Sequence, residues 1–546
     1  MTAFNPMGWP YLASPRRGSP HRRFAAAAGL GAAALLGACV AAQQTGNDGF
    51  SAERADQVFA AGYESIFTRY VDQVAIGPVA LDGLEGLSEL DAEIHVDRSG
   101  DKVELKRGGA VVAGFPVPAA DDADAWADLT VKVLRASRSA SPRLMSASTE
   151  EMYQVVFDKA LTDLDEFSRY AGRDLATSHR ALRDGFGGIG FEFTLTPDQA
   201  LKVTMIVPDT PADRNGLQTG DVITDIDGRP VAGLDRDEIS HRLRGRVNTP
   251  VSVTVRRAGT DGAVKLTFDR ALIVPPTVTA RIEDGIAYLA ISSFNQKTAE
   301  SLAASYEQIK GQGPIKGVVL DLRNNPGGLL DQAIAVSDLF LDGGEIVATH
   351  GRHPDSNQRF EASGNDVAKG LPMVVLINGD SASAAEIVAA ALQDQKRAVL
   401  VGSNSFGKGT VQNVIHLPND GELTLTWSRI EAPSGYAFHR LGIMPTLCTS
   451  KSSLSVHDLV ADLRGGRITT GTLLAAWRTE HDGDDKETDE LRASCPPRHD
   501  LSAADLEVAR DVLEDSELYA RALNLSGPAV AAKPGAAPAT GSVATR

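Results

Sequence analysis

Two short segments hold the side-chain types that acyl-transfer chemistry needs. The first reads Asn378-Gly379-Asp380-Ser381-Ala382-Ser383-Ala384-Ala385-Glu386. An apolar run ends just before it and an Ala-rich helical pattern follows, so it reads as a strand, a tight turn and a helix start. A serine there meets free N–H groups and the positive end of the helix dipole, which both favour negative charge. A hydroxyl attacking a carbonyl needs such donors for its tetrahedral oxyanion. Capping of the helix by Ser381 or Ser383 explains the same residues, so this segment alone leaves the choice open.

The second segment is Gly402-Ser403-Asn404-Ser405-Phe406-Gly407-Lys408-Gly409-Thr410-Val411-Gln412. It misses the phosphate-binding loop by one residue, because that loop has Ser or Thr directly after its Lys. Here Gly409 follows, and Thr410–Ile415 reads as strand, so no helix N-terminus is present to hold a phosphate. The other use of Lys408 is as a general base. An ammonium cannot take a proton, so its pKa must fall from ~10.4 toward neutrality, a change of ~4–5 kcal/mol at ~1.36 kcal/mol per unit. Burial does this, and Phe406, Gly407, Gly409 and Val411 bring no charge. A serine paired with a lysine is a variant of the nucleophile–base arrangement. On this segment alone a solvated surface lysine in a Gly-rich turn is the better fit.

The elements that must position these segments alternate. Strand patterns at 286–291, 317–322, 373–377 and 398–401 are separated by helical patterns at 297–312, 329–341 and 383–393. Such alternation implies a parallel sheet with crossover helices, an α/β core. Upstream, Val58, Phe59, Tyr63, Ile66, Phe67 and Tyr70 lie at helix spacing, and 124–136 and 149–164 are helical, while 91–116 alternates as short strands. The N-terminal module is therefore expected to be mostly helical with a small β insert. Residues 186–270 carry short strands around glycine-rich turns. Their order resembles a PDZ domain, and Thr210–Gly228 (TPADRNGLQTGDVITDIDG) bears the likeness most specifically. That resemblance implies a peptide tail whose carboxylate meets the backbone at Gly188, Ile189, Gly190 and Phe191 and whose chain adds to the neighbouring strand edge.

The chain has 546 residues and a formal net charge of −17, from 54 Lys+Arg against 71 Asp+Glu. That acidity argues against nucleic acid as partner, since phosphate-backbone readers carry a basic footprint. Arg16, Arg17, Arg22 and Arg23 precede an apolar run, Phe24–Leu36, ending Leu36-Gly37-Ala38-Cys39. The run is too short for a mature membrane span and is flanked as a secretory signal is. Small residues before Cys39 resemble the lipobox of bacterial lipoproteins, which implies lipidation at Cys39. Val40 after it leans toward the outer membrane, so the expected location is the periplasm, on a lipid anchor. An exported chain lives where disulfides persist. The two other cysteines, Cys448 and Cys495, are then expected to form one bridge. No cofactor is expected. Nor is a metal site, since His350 and His353 have no helical frame and His439 and His499 stand alone, as surface residues would.

Three motifs in order, DLRNNPGG (321–328), SASAAEIVAAALQD (381–394) and VGSNSFGKGTVQ (401–412), resemble those of the carboxyl-terminal processing peptidases, tail-specific serine proteases with an embedded PDZ domain. The likeness extends to LDEFSRYAG (164–172), GGIGFEF (187–193) and APSGYAFHRLGIMPT (432–446), and so covers about 150–446. It implies Ser383 as nucleophile, Lys408 as general base and Gln412 as the residue that orients it. The oxyanion donors would be the N–H of Ala384 with that of Gly327 or Gly328. Arg323 and Asp394 would be structural supports, and the core a crotonase- or ClpP-like α/β spiral. Ala385 stands where the family usually has Ser, and Thr446 where Asp is common; neither change removes a catalytic atom.

The expected division is a signal peptide with lipobox (1–39), a helical region (40–180), a PDZ domain (181–275), a peptidase domain (276–450), a C-terminal extension (451–525) and a disordered tail (526–546). The expected function is endoproteolysis of envelope proteins with apolar C-terminal tails through an acyl-enzyme, with an adaptor lipoprotein as a further candidate partner. A catalytically silent PDZ scaffold and a Ser-Lys transferase acting on cell-wall peptides are the alternatives.

Overall fold

The computed structural model describes residues 50–196, 200–451, 455–479 and 485–527. Cys39, the signal-like segment and the tail from 528 onward lie outside the described residues. None of the described helices is long and apolar enough to cross a membrane.

Ser51 caps the first helix, Ala52–Arg69, by accepting from the Arg54 N–H. Its periodic apolar residues Val58, Phe59, Tyr63 and Ile66 are fully buried. They pack on helix Thr149–Thr162, where the Phe59 ring lies 5.4 Å from Tyr153 and 5.2 Å from Phe157. A capping box, Ser148 with Glu151, starts that second helix. Strands Ile94–Ser99, Lys102–Arg107 and Ala110–Pro116 form the small antiparallel insert.

Helix Arg173–Asp184 leads into the second domain. A two-stranded tie, Phe186–Gly188 with Ala271–Ile273, closes the base of that domain. Between them runs an antiparallel sheet in the order 263–269, 250–256, 222–226, 201–206, 191–195, so that Phe191–Leu195 is an edge strand. Helix Arg236–Leu243 contributes Ile239 and Leu243 to the same core as Ile189 and Phe268. Gly190 has φ +85°, and a Cβ there would lie 2.3 Å from the Thr210 side chain, so only glycine fits this turn.

The third domain is built on a six-stranded sheet in the order 278–283, 286–291, 317–321, 373–377, 399–402, 447–448. The first strand is antiparallel to its neighbour and the rest run parallel. Helices Thr298–Lys310, Leu330–Asp338 and Ala384–Asp394 make the crossovers. In a parallel sheet the loops leaving the carboxyl ends of adjacent strands share one edge, and sites form there. The loops after Asp321, Ile377 and Gly402 are the three that carry the sequence motifs. A second sheet, in the order 358–361, 345–350, 422–431, 410–416, begins its last strand two residues after Lys408.

Among the described residues the elements of the C-terminal extension are all helices, and they form a layer of this domain. Val508, Ala509, Val512 and Leu518 pack on Tyr288, Val319, Val374 and Val399 and cover the second face of the sheet. The periodicity of residues 505–523 predicts one helix, but the structure has two, Ala503–Glu514 and Ser516–Leu525. Asp515 separates them: its backbone is extended and its carboxylate accepts from the Glu517 and Leu518 N–H groups, 3.0 and 3.2 Å away.

Cys448 and Cys495 are joined by a disulfide that spans 47 positions. It ties the last strand of the sheet to the extension. A cross-link of that loop length is worth about 4 kcal/mol in chain entropy. The double variant Cys448→Ser, Cys495→Ser is expected to unfold at lower urea concentration. An unchanged midpoint would show that the bridge contributes nothing to stability.

Candidate active site

Ser383 sits at the N-terminal end of helix Ala384–Asp394 with φ 54° and ψ −113°. A non-glycine residue held at positive φ stores about 1–3 kcal/mol, and such strain is typical of functional turns. Two contacts hold it there. The Ser383 N–H donates to Glu386 Oε2 at 2.7 Å. Gly327 lies so close on the other side that a Cβ there would fall 2.9 Å from Ser383 Cβ. Ser381 is spent on structure: its hydroxyl donates to Leu322 O at 2.8 Å and accepts from the Asn378 N–H at 2.9 Å.

Glu386 is fully buried and accepts four hydrogen bonds. Its donors are the Ser383 N–H, the Ser405 hydroxyl (2.5 Å), the Gly407 N–H (2.7 Å) and the Lys408 N–H (2.8 Å). The amides of Ser383 and Lys408 thus share one carboxylate oxygen, Oε2. Burial pushes this carboxyl above its ordinary range, against the opposing pull of the four donors. Sequence reasoning missed this role. The Ser-x-x-Glu spacing at a helix start was its only local signal.

Burial, helped by the nearby positive charge of Arg169, pulls the Lys408 amine down to about 8. Its Nζ lies 4.8 Å from the centre of the Phe167 ring. Among the described residues no hydrogen bond joins Lys408 Nζ to Ser383 Oγ or to Gln412. The expected orienting contact from Gln412 is therefore absent: its amide Nε2 donates instead to Thr410 Oγ1 at 2.8 Å and Thr426 Oγ1 at 3.4 Å. Two threonine hydroxyls flank this amide on paired strands and satisfy it locally.

Of the two glycine amides expected as oxyanion donors, one is already engaged. The Gly327 N–H donates to Asn325 Oδ1 at 2.9 Å and is thereby withdrawn from the set. Asn325, fully buried, is itself fixed through Nδ2 to Ile291 O at 2.8 Å. Gly328 is exposed, and neither its N–H nor that of Ala384 has a partner among the described residues. These two amides remain as donors beside Ser383.

The supports converge on the same loops. Arg323 binds Asp321 through Nε and Nη2 (2.9 and 2.6 Å) and Asp505 of the extension through Nη1 (3.0 Å). Asp394, at the far end of the helix, accepts from the Ser434 N–H and hydroxyl and from Arg478. His499 is exposed, as expected, whereas His439 is half-buried. His499 pairs with Asp380 at 2.9 Å. The His439 ring meets Phe167 edge-on at 6.0 Å, and its buried Nδ1 has no partner among the described residues. In the second domain, Gly188, Ile189 and Gly190 are buried, and Phe191 opens the edge strand.

Residues 285–448 match peptidase family S41, and residues 202–257 match a PDZ domain. The chain is 41% identical over 302 residues to the carboxy-terminal-processing protease of Bartonella bacilliformis, covering 55% of this chain and 69% of that one. The chain belongs to peptidase family S41. To the carboxyl-terminal-processing protease of Synechocystis this S41 peptidase is 34% identical over 320 residues, covering 57% of its own length and 74% of the relative's. Among solved structures, the photosystem II D1 C-terminal processing protease aligns with 72% of the peptidase and 92% of its own chain, at 24% identity and a TM-score of 0.37. The S41 peptidase is thus a serine protease with a PDZ domain, and its substrates are proteins. A silent scaffold is set aside.

Proposed function

We propose that this S41 peptidase is an endopeptidase of the cell envelope that captures protein C-terminal tails in its PDZ groove and cleaves them by a Ser383–Lys408 mechanism. The observation that carries the reading is the shared oxygen of Glu386, which binds the amides of both residues. Neutral Lys408 takes the Ser383 proton as Oγ attacks the scissile carbonyl carbon. The N–H groups of Ala384 and Gly328 receive the oxyanion. The C–N bond then breaks, Lys408 returns the proton to the leaving amine, and an acyl-enzyme remains. Water then attacks the acyl carbon and gives a proton to Lys408, the Ser383 Oγ–C bond breaks, Lys408 returns the proton to Oγ, and the shortened chain leaves with a new carboxylate.

The contact of Lys408 Nζ with the Phe167 ring favours a gated cycle, in which tail docking brings the amine from the ring to Ser383. Helix Arg173–Asp184 links the two domains: Arg180 and Arg183 both bind Glu422 of the second sheet, and the Arg183 carbonyl accepts from the Gln296 N–H. The secretory-type N-terminus and the Cys448–Cys495 bridge support a periplasmic location, with a lipid anchor at Cys39 and an adaptor lipoprotein as additional partner.

The test is incubation of the purified protein with an unfolded substrate bearing an apolar C-terminal tail, beside Ser383→Ala. Wild-type protein should shorten the substrate, and Ser383→Ala should leave it intact. Removal of residues 186–273 should abolish the preference for the tailed substrate over one with an amidated end. Cleavage by Ser383→Ala at the wild-type rate overturns the nucleophile, and unchanged tail preference overturns the PDZ role.

A further inference from the structure

We propose that Arg236 is the latch of the PDZ groove and sets its selectivity, favouring tails with an acidic side chain at the third residue from the end. The proposal rests on the tail-docking reading above. The edge strand Phe191–Leu195 has one side paired and one side open. The Gly190 carbonyl accepts from the Val207 N–H at 3.0 Å, and the Thr196 N–H donates to Ala200 O at 2.9 Å, so these even-numbered residues face the neighbouring strand. Successive residues of a strand alternate. The N–H and C=O groups of Phe191 and Phe193 therefore face the open edge, where an added peptide would pair.

That edge is already engaged. Arg236, the first residue of helix Arg236–Leu243, donates through Nη2 to the Phe193 carbonyl at 2.6 Å. Its guanidinium lies 4.8 Å from the centre of the Phe193 ring. Among the described residues it has no carboxylate partner within ion-pair distance.

The register of a docked tail follows from the strand period. With its carboxylate on the amides at Gly188–Phe191, the last residue lies opposite Phe191 and the third from the end lies opposite Phe193. The N–H of that third residue needs the Phe193 carbonyl, which is the acceptor that Arg236 holds. The incoming N–H competes with Arg236 for this oxygen, and the guanidinium stands beside the third residue's side chain. An Asp or Glu there supplies a charge-assisted, two-pronged acceptor. A neutral side chain leaves that cation unpaired, and a Lys or Arg repels it.

The experiment measures fluorescence anisotropy of labelled ten-residue peptides with the full chain carrying Ser383→Ala, at low ionic strength. The peptides end in the same valine and differ only at the third residue from the end: Glu, Ala or Lys. A fourth is the Glu peptide with an amidated terminus. The expected order is Glu tightest, with about tenfold weaker binding for Ala and weaker still for Lys. Arg236→Glu should reverse Glu and Lys, and Arg236→Ala should erase the difference and bind the Ala peptide more tightly than does the chain with Arg236 intact. Equal affinity for the three free acids, with no binding of the amide, overturns the role of Arg236 and leaves tail docking standing. Equal binding of the amide and the free acid, or no binding of any peptide, overturns both.

Discussion

Lys408→Ala is expected to lower kcat/KM on a tailed protein substrate by about 10³–10⁴, the upper part of the range for loss of a general base, with folding intact. Lys408→Arg should be as inactive, because a guanidinium stays protonated. The pH profile separates this role from a structural one. Only the neutral amine accepts the Ser383 proton. Wild-type kcat/KM should therefore rise about tenfold per pH unit on the acid side and level off above about 8, the value to which burial and Arg169 bring the amine. Residual activity in Lys408→Ala should lack that step. A wild-type midpoint near that of a solvated lysine, ~10.4, would mean that the amine is not desolvated in the working enzyme, and the Ser–Lys assignment would fail.

The second large effect falls on Glu386. Glu386→Ala removes the acceptor of four buried donors and leaves them stranded between the Ser383 turn and the 405–408 loop. An unmet buried donor costs about 1–3 kcal/mol. Glu386→Ala should thus lower the thermal midpoint and abolish turnover together. Glu386→Gln keeps one acceptor oxygen but sets an NH₂ against the remaining donors. Its expected outcome is a smaller loss of stability and a loss of kcat that exceeds the change in KM, since Ser383 and Lys408 lose their common reference. Full activity in Glu386→Gln would show that the shared oxygen does not position the two residues.

Local spacing reveals what lies within one element and its turns. The periodic apolar residues of Ala52–Arg69, the strand–turn–helix around Ser383 and the Gly-rich loop ahead of Thr410–His416 are legible because each depends on neighbours a few positions away. Alternation of strand and helix patterns gives the α/β class, and the likeness of three ordered motifs to the carboxyl-terminal processing peptidases singles out Ser383 and Lys408. The choice among neighbours is different in kind. Whether Gly327 or Gly328 offers its N–H turns on one side-chain oxygen, Asn325 Oδ1. Whether Gln412 reaches Lys408 turns on which hydroxyl its amide finds, and the fold offers Thr410 on its own strand and Thr426 on the paired one.

The sequence by itself determined the α/β class of the core, the helical character of the N-terminal module and the strand–turn–helix that carries Ser383, because composition and period act through the backbone locally. Only the tertiary structure decided that Glu386 joins the Ser383 turn to the 405–408 loop, that Phe167 receives the lysine amine, that the C-terminal helices cover the sheet's second face and that Arg236 reaches the Phe193 carbonyl on the edge strand. Each of these joins segments that the sequence separates and only the folded chain brings within hydrogen-bond or packing distance, so no periodicity along the chain encodes it.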